Sequence, residues 1–146
     1  MQTFLPYASF ERSARVLDPR RLGKQRVEAL QCLRALHVPG YGWRHHPAVR
    51  MWRGHEEALA AYGLAVCRVW IRAGCADTVA GKIVAELGRV PRRQAELRRL
   101  GLLPRWLGRR DFHLAHRSAL VARDPTWYRR FFPDVRDDLP YVWPDP

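Results

Sequence analysis

The chain has few cysteines and no long apolar run. Its three cysteines, Cys32, Cys67 and Cys75, are an odd number without close CxxC spacing. This pattern argues against a disulfide framework and against a cysteine-only zinc site, and it favours a reducing cytoplasm. No uncharged apolar stretch approaches the ~18–20 residues of a transmembrane helix, and the N-terminus lacks the basic and apolar regions of a signal peptide. We therefore expect a cytoplasmic protein without a membrane partner.

Acidic residues and lysines are also scarce. Lysine and arginine together number 26 against 14 aspartates and glutamates, a formal net charge of +12. Only Lys24 and Lys82 are lysines, so almost all of the positive charge is arginine. The guanidinium fork suits phosphate and base contacts, although a GC-rich genome produces the same bias. Because each neutralised phosphate releases counterions, this charge favours a nucleic-acid partner.

Alternating strand patterns, internal repeats and glycine-rich phosphate loops are all absent. Apolar residues instead recur every three or four positions, as in amphipathic helices, and Asp18-Pro19 is typical of a helix start. We predict about three main helices over 19–38, 47–73 and 110–122, shorter helices over 78–87 and 91–100, and an ordered, extended aromatic tail after 124. The expected fold is therefore a compact all-α single domain, residues 1–146, and a length of 146 residues suits one domain.

The first long helix carries a polar face opposite its leucines. On a helical wheel this face consists of Arg21, Lys24, Gln25, Glu28 and Gln31. It is either a solvated face, with a Lys24–Glu28 pair worth only ~0.2–0.5 kcal/mol, or a surface for DNA and chemistry. Arg26 projects toward the apolar side, where a partly buried guanidinium needs a carboxylate or a phosphate.

Two histidine pairs are candidates for ligand contacts. His45 and His46 precede Pro47 at a predicted helix N-terminus, where backbone N–H groups favour anions, so a phosphate or base contact is expected beside a structural alternative. His113 and His116 are spaced as metal ligands on a helix could be. No carboxylate or cysteine lies at a matching spacing, so we expect no metal site.

The tail segment 126–132 interleaves aromatic rings with arginines. This combination offers stacking faces and phosphate contacts together, whereas the alternative is a tail that packs its rings onto the helices. We expect both, with Trp127 and Phe131 buried and with Tyr128, Arg129 and Arg130 in contact with DNA.

Three blocks of the sequence resemble the phage-type pyrimidine-dimer DNA glycosylases, also called endonuclease V. The segment 124–132, Asp-Pro-Thr-Trp-Tyr-Arg-Arg-Phe-Phe, looks like the C-terminal signature of that family. Residues 22–28, Leu-Gly-Lys-Gln-Arg-Val-Glu, are similar to its first-helix segment, and His46 before an apolar helix is similar to its glycine-histidine segment. The whole chain looks like an uncharacterised bacterial branch of this group.

The resemblance implies a small all-α repair enzyme that binds duplex DNA and extrudes a nucleotide. An amine attacks the sugar C1′, and a Schiff base followed by β-elimination cuts the strand at the abasic site. Carried over, Glu28 takes the role of the essential carboxylate and Arg26 the adjacent basic role, although Val27 separates them here. The resemblance implies no cofactor.

The attacking amine in that family is the chain's N-terminus. Gln2 is too large for efficient removal of the initiator methionine, so we expect Met1 to supply the amine here, with Lys24 as the reserve. At pH 7 about 10–20% of an unperturbed α-amino group is free base, against about 0.04% of a lysine side chain. This difference favours Met1.

Three alternatives stay open at this point. The excised base need not be a pyrimidine dimer, and the chain could instead be a non-catalytic, arginine-rich binder of DNA or of structured RNA. The expected partner is duplex DNA with a damaged or modified base. We expect a monomer associated with the nucleoid.

Overall fold

The computed structural model describes residues 1–146 and contains eight helices and no strand, so the predicted all-α fold is confirmed. The helices are α1 Phe10–Val16, α2 Pro19–His37, α3 Pro47–Arg50, α4 Glu56–Arg72, α5 Ala80–Leu87, α6 Gln94–Arg99, α7 Arg110–Arg123 and α8 Pro125–Tyr128. None of them combines the length and the hydropathy that crossing a bilayer requires.

Helix α2 begins as its sequence predicts. The side chain of Asp18 accepts a hydrogen bond from the backbone N–H of Arg21, and Pro19 occupies the first turn, where a missing N–H costs nothing. The apolar stripe of this helix faces the core, and its members Leu22, Ala29, Leu30 and Leu33 are buried.

The predicted helix over 47–73 is wrong as a single element. It is divided into α3 and α4 by turns over 51–55, where Gly54 adopts φ +81°. Met51 and Trp52, which lie in this break, are both fully buried. Helix α1 was not predicted, because seven residues are too short for a clear period. The side chain of Ser9 caps it.

Helix α4 lies at the centre of the fold and packs against α1, α2, α5 and α6. Gly63 allows the closest approach. A Cβ atom at this position would lie 3.1 Å from the Cβ of Ala29 on α2 and 2.7 Å from Cδ1 of Ile83 on α5. Three helices therefore meet here, and a side chain at position 63 would require Ile83 and Ala29 to shift.

The tail is ordered, but the predicted burial of its rings is wrong. Tyr128 and Phe132 are buried, whereas Trp127 is only partly buried and Phe131 is 38% exposed. The reason is the short helix α8, which Asp124 caps, because it directs positions four residues apart to one side. Tyr128 and Phe132 therefore face the core, and Trp127 and Phe131 do not.

Replacing Gly63 by alanine tests this packing. We expect Gly63→Ala to lower the melting temperature, because overpacking costs about 1–3 kcal/mol and outweighs the gain in helix propensity of about 1 kcal/mol. Gly81 on α5 is the matched control, since a Cβ atom there meets no atom within 4 Å. Gly81→Ala should raise the melting temperature, and equal shifts for both variants would contradict the close approach.

Candidate active site

The N-terminal segment 2–6 is buried and lies outside any helix. Its backbone N–H groups donate to side chains of the surrounding helices. Gln2 donates to Oε2 of Glu28 at 2.9 Å, Phe4 to Oε1 of Gln25 at 2.8 Å, and Leu5 to Nδ1 of His116 at 2.9 Å. Because the acceptors belong to α2 and α7, the segment is held between these two helices.

Gln25 is the hub of these contacts. Its Oε1 accepts from Phe4 and from the hydroxyl of Tyr62, while its Nε2 donates to the carbonyl oxygen of Gln2 at 3.1 Å and to Oε2 of Glu28 at 3.0 Å. Gln25 is only 2% exposed. Its amide is buried and fully engaged within the protein, and the DNA contact predicted for this residue stays a prediction.

Two histidines of α7 clamp the backbone of Leu5 from both sides. His116 accepts the Leu5 N–H at Nδ1, and Nδ1 of His113 lies 2.8 Å from the Leu5 carbonyl oxygen. The second nitrogen of His113 accepts from the N–H of Gly108, and that of His116 meets the hydroxyl of Tyr141 at 3.0 Å. All four ring nitrogens are engaged within the chain, so this pair is structural.

Glu28 is nearly buried, with 7% exposure, and its two oxygens have different surroundings. Oε2 accepts from Gln2 and Gln25, whereas Oε1 lies 3.6 Å from Nζ of Lys24. The Lys24 side chain is 70% exposed. One carboxylate oxygen is therefore fixed by the N-terminal segment, and the other remains beside the cavity described next.

A cavity of about 360 Å³ lies between the N-terminus, α2, the end of α7 and the tail. It is lined by Met1, Gln2, Phe4, Arg20, Arg21, Lys24, Gln25, Glu28, His46, Arg123, Tyr141 and Trp143. The structure thus brings together Met1, Lys24 and Glu28 of the predicted site. Four basic side chains surround a single carboxylate.

His46 lies at the edge of this cavity and caps α3. Its Nδ1 accepts from the N–H of Ala48 at 3.0 Å, which places the proton of the neutral ring on Nε2. Burial and the neighbouring α-amino group of Met1 lower the pKa of His46, although Glu28 opposes this. The exposed indoles of Trp43 and Trp143 approach its ring edge-on at 5.5 and 5.8 Å.

His45 lies apart from His46. It is exposed and lines a second cavity, of about 550 Å³, together with Arg44, Arg50 and Arg53. The predicted DNA contact of His45 stays a prediction.

Arg26 does not line the cavity, and the catalytic role predicted for it stays a prediction. Its guanidinium pairs with Asp77, donates from Nε to the carbonyl oxygen of Gly23 at 3.2 Å, and stacks 4.4 Å above the ring of Trp70. The expectation that Arg26 needs a carboxylate is confirmed. Although burial opposes it, hydrogen bonds from backbone N–H groups and from Arg26 lower the pKa of Asp77.

The tail residues predicted to contact DNA are placed differently from one another. Tyr128 is fully buried and its hydroxyl donates to Asp18, so its predicted DNA contact is wrong. Arg129 donates to carbonyl oxygens of the tail, including that of Pro133 at 3.1 Å. Arg130 stacks 4.2 Å above the exposed side of Trp127, where it remains accessible to a phosphate.

Sequence reasoning missed part of the cavity. Arg123, at the end of α7, and Tyr141 and Trp143, in the tail, line it without having been predicted as site residues. The aromatic residues of the tail were the only signal in the sequence, and their pattern predicted a site at 126–132 and not at 141–143. Their place depends on the return of the tail to the N-terminus.

Comparison with models of protein families gives one match. A family model described as pyrimidine dimer DNA glycosylase matches residues 1–80, more than half of the chain. The chain belongs to this family. Membership of this family implies pyrimidine-dimer DNA glycosylase activity in DNA repair. No curated protein and no solved structure matches the chain.

The matched range contains the first part of the site. Met1, Lys24, Glu28 and His46 lie within residues 1–80, whereas Arg123 and the tail lie beyond them. The C-terminal block that resembles the glycosylases, 124–132, is likewise outside the matched range.

The histidine clamp predicts an acid sensitivity of the fold. Burial, followed by the charges of His113 and Arg123, lowers the pKa of His116 to about 3, and burial lowers the pKa of His113 as well. Unfolded histidine titrates near ~6.5, so below this pH the unfolded chain binds more protons. Stability is therefore complete above pH ~6.5 and should fall by up to about 1.4 kcal/mol per pH unit per histidine as the solution is acidified.

Urea unfolding at pH 7.5, 6.5, 5.8 and 5.0 measures this slope. His116→Asn retains an acceptor near the Leu5 N–H but does not titrate, so its slope should be shallower than that of the parent. His45→Asn, on the exposed loop, is the control and should keep the parent's slope. A flat profile in the parent would contradict the neutral clamp.

Proposed function

We propose that the protein is an N-glycosylase with abasic-site lyase activity on damaged duplex DNA, with pyrimidine dimers as its substrate. The amine of Met1 forms a bond to the sugar C1′ as the bond to the base breaks and its electron pair leaves with the base. Ring opening gives a Schiff base, and β-elimination then expels the 3′ phosphate. The observation that carries this proposal is the convergence of Met1 and the nearly buried Glu28 in one basic cavity.

The charges around the cavity suit a DNA backbone. Arg20 and Lys24 are exposed, and Arg21 and Arg123 complete the cationic surroundings. Phosphate contacts of this kind position the duplex without reading its sequence. An extruded nucleotide costs a few kcal/mol and is easiest at a damaged base, which agrees with a repair role.

The α-amine is better placed than Lys24 to act as the nucleophile. The peptide N–H next to it is bonded to Glu28, so the amine is one residue away from an anchored point. Lys24 is 70% exposed and is held only by a 3.6 Å ion pair, which loses side-chain entropy on ordering and is screened by solvent. Orientation of a reacting amine is worth far more than its presence alone.

Glu28 is assigned to stabilise the cationic sugar and to move protons. Its Oε2 is committed to two N–H donors, so Oε1 is the oxygen that faces the reaction.

We propose that the enzyme acts on the chromosome in the cytoplasm as a monomer.

Glu28→Gln should abolish strand cleavage while DNA binding persists. The glutamine oxygen can replace Oε2 and accept both hydrogen bonds, since these go to the same atom, so the fold is retained. Loss of acid–base chemistry costs about 10²–10⁴-fold in rate, whereas removal of one negative charge should slightly tighten binding. Single-turnover cleavage of a dimer-containing duplex and a binding titration measure the two effects.

Glu86→Gln is the matched control. Glu86 is paired with Arg34 and His37, it does not line the cavity, and its replacement changes the net charge by the same amount. This variant should cleave as the parent does. Unchanged cleavage by Glu28→Gln would contradict the assignment of the carboxylate.

The amine can be identified because the chain has only two lysines, Lys24 and Lys82. In the double variant Lys24→Arg and Lys82→Arg the α-amine is the only primary amine. Borohydride should still trap it on an abasic duplex, and mass spectrometry should place the adduct on the peptide that begins with Met1. Intact mass establishes whether Met1 is retained.

Blocking the terminus is the complementary test. Acetylation, or a tag ahead of Met1, should abolish trapping without weakening binding, since a displacement of ~1 Å already costs ~100-fold in rate. An adduct on Lys24 in the parent would replace the α-amine mechanism. Absence of any adduct with a free terminus would favour the non-catalytic DNA- or RNA-binding alternative, and binding of duplex RNA against duplex DNA at matched salt would separate those two.

A further inference from the structure

We propose that Tyr141 donates its hydroxyl proton in a hydrogen bond to the base that is being released, and that Gln2 and His116 set this direction. The inference rests on the proposed function, because it concerns the same cavity. Tyr141 lies in the tail, beyond the residues that match the family, and lines the cavity with Met1 and Glu28.

The backbone of Leu5 determines which nitrogen of His116 carries the proton. Its N–H can only donate, so Nδ1 of His116, at 2.9 Å, must carry a lone pair. Burial lowers the pKa of His116 to about 3, so the ring is neutral at pH 7. A neutral ring without a proton on Nδ1 carries it on Nε2, and Nε2 lies 3.0 Å from the Tyr141 oxygen. His116 therefore donates to Tyr141.

The orientation of the Gln2 side-chain amide is fixed as well. The backbone N–H of Thr3 donates to Oε1 of Gln2 at 2.9 Å, which identifies the oxygen of that amide. The amide nitrogen is then the atom that faces Tyr141, and it also donates to the phenol oxygen. Tyr141 thus accepts from two donors, one on each side.

A phenol that accepts from two donors must direct its own proton elsewhere. No acceptor of the chain takes it, since the hydrogen bonds of the Tyr141 oxygen are those to His116 and Gln2. Tyr141 lines the cavity, and a bound substrate is therefore the partner that we assign to its free O–H. Burial raises the pKa of Tyr141, so the hydroxyl stays protonated at pH 7.

The chemistry of the cavity indicates what this proton meets. When the bond from C1′ to the base breaks, the electron pair leaves with the base, and negative charge develops on its ring nitrogen and on the adjacent carbonyl oxygen. A fixed O–H donor stabilises that charge without transferring its proton. Tyr141 would therefore act in base excision, before the Schiff base is cleaved by elimination.

The direction of the chain can be measured in the unmodified protein. Nitrogen-15 NMR of the histidines distinguishes the two neutral tautomers. We expect His116 to carry its proton on Nε2. A proton on Nδ1 would direct the Tyr141 hydroxyl at His116 and would overturn the proposal, whatever the variants show.

Tyr141→Phe separates a donor from a structural ring. Removing one preorganised donor at developing charge costs about 100-fold or more in rate, so single-turnover excision from a dimer-containing duplex should fall by this factor. Borohydride trapping and cleavage of a duplex with a preformed abasic site should fall by far less, because no base leaves. Tyr7→Phe is the control, since Tyr7 lies outside the cavity and should match the parent in both assays.

Each other outcome overturns the proposal. Equal losses in excision and in abasic cleavage would mean that Tyr141 only supports the site, and unchanged excision would mean that its proton is not used. If the parent itself forms no adduct on an abasic duplex, the proposed function fails, and with it the inference. The parent and the variant therefore distinguish the two failures.

Discussion

Buried backbone outside a helix needs a partner for every amide, and in this protein side chains supply those partners to residues 2–6. Gln25, Glu28 and His116 bind the segment from α2 and α7, so these helices must lie on either side of it. An unmatched buried group costs about 1–3 kcal/mol, so each of these bonds matters to stability. The architecture and the candidate site depend on the same contacts.

The site also separates charge by depth. Its one carboxylate, Glu28, is nearly buried and bonded to N–H groups, whereas Arg20 and Lys24 are exposed to solvent at the surface. Exposed cations attract the DNA backbone from a distance, and the effect weakens with salt. The buried anion acts only on what enters the cavity. In the mechanism that we propose, attraction of the substrate and stabilisation of a cationic sugar thus belong to different depths of one surface.

Local rules in the sequence predicted α2, because its Asp18 cap, its proline and its apolar period all agree. They also predicted that Glu28 and Lys24 share a face. The same rules did not predict which part of the chain packs against that face. Gln25 is on the polar side of the wheel, yet the chain's own N-terminus covers it, and Tyr141 reaches the cavity only through the return of the tail. Both depend on contacts between distant parts of the chain, which helical periodicity does not encode.

The position of residues 2–6 has a consequence for the order in which the molecule is made. His116, the partner of Leu5, follows it 111 residues later in the chain. Contacts between such distant residues must wait for the loop between them to close, and they slow folding. Residues 2–6 can therefore take their native place only after α7 has left the ribosome. Until then the apolar residues Phe4 and Leu5, which are buried in the native protein, lack their cover, and the cavity beside them is not assembled.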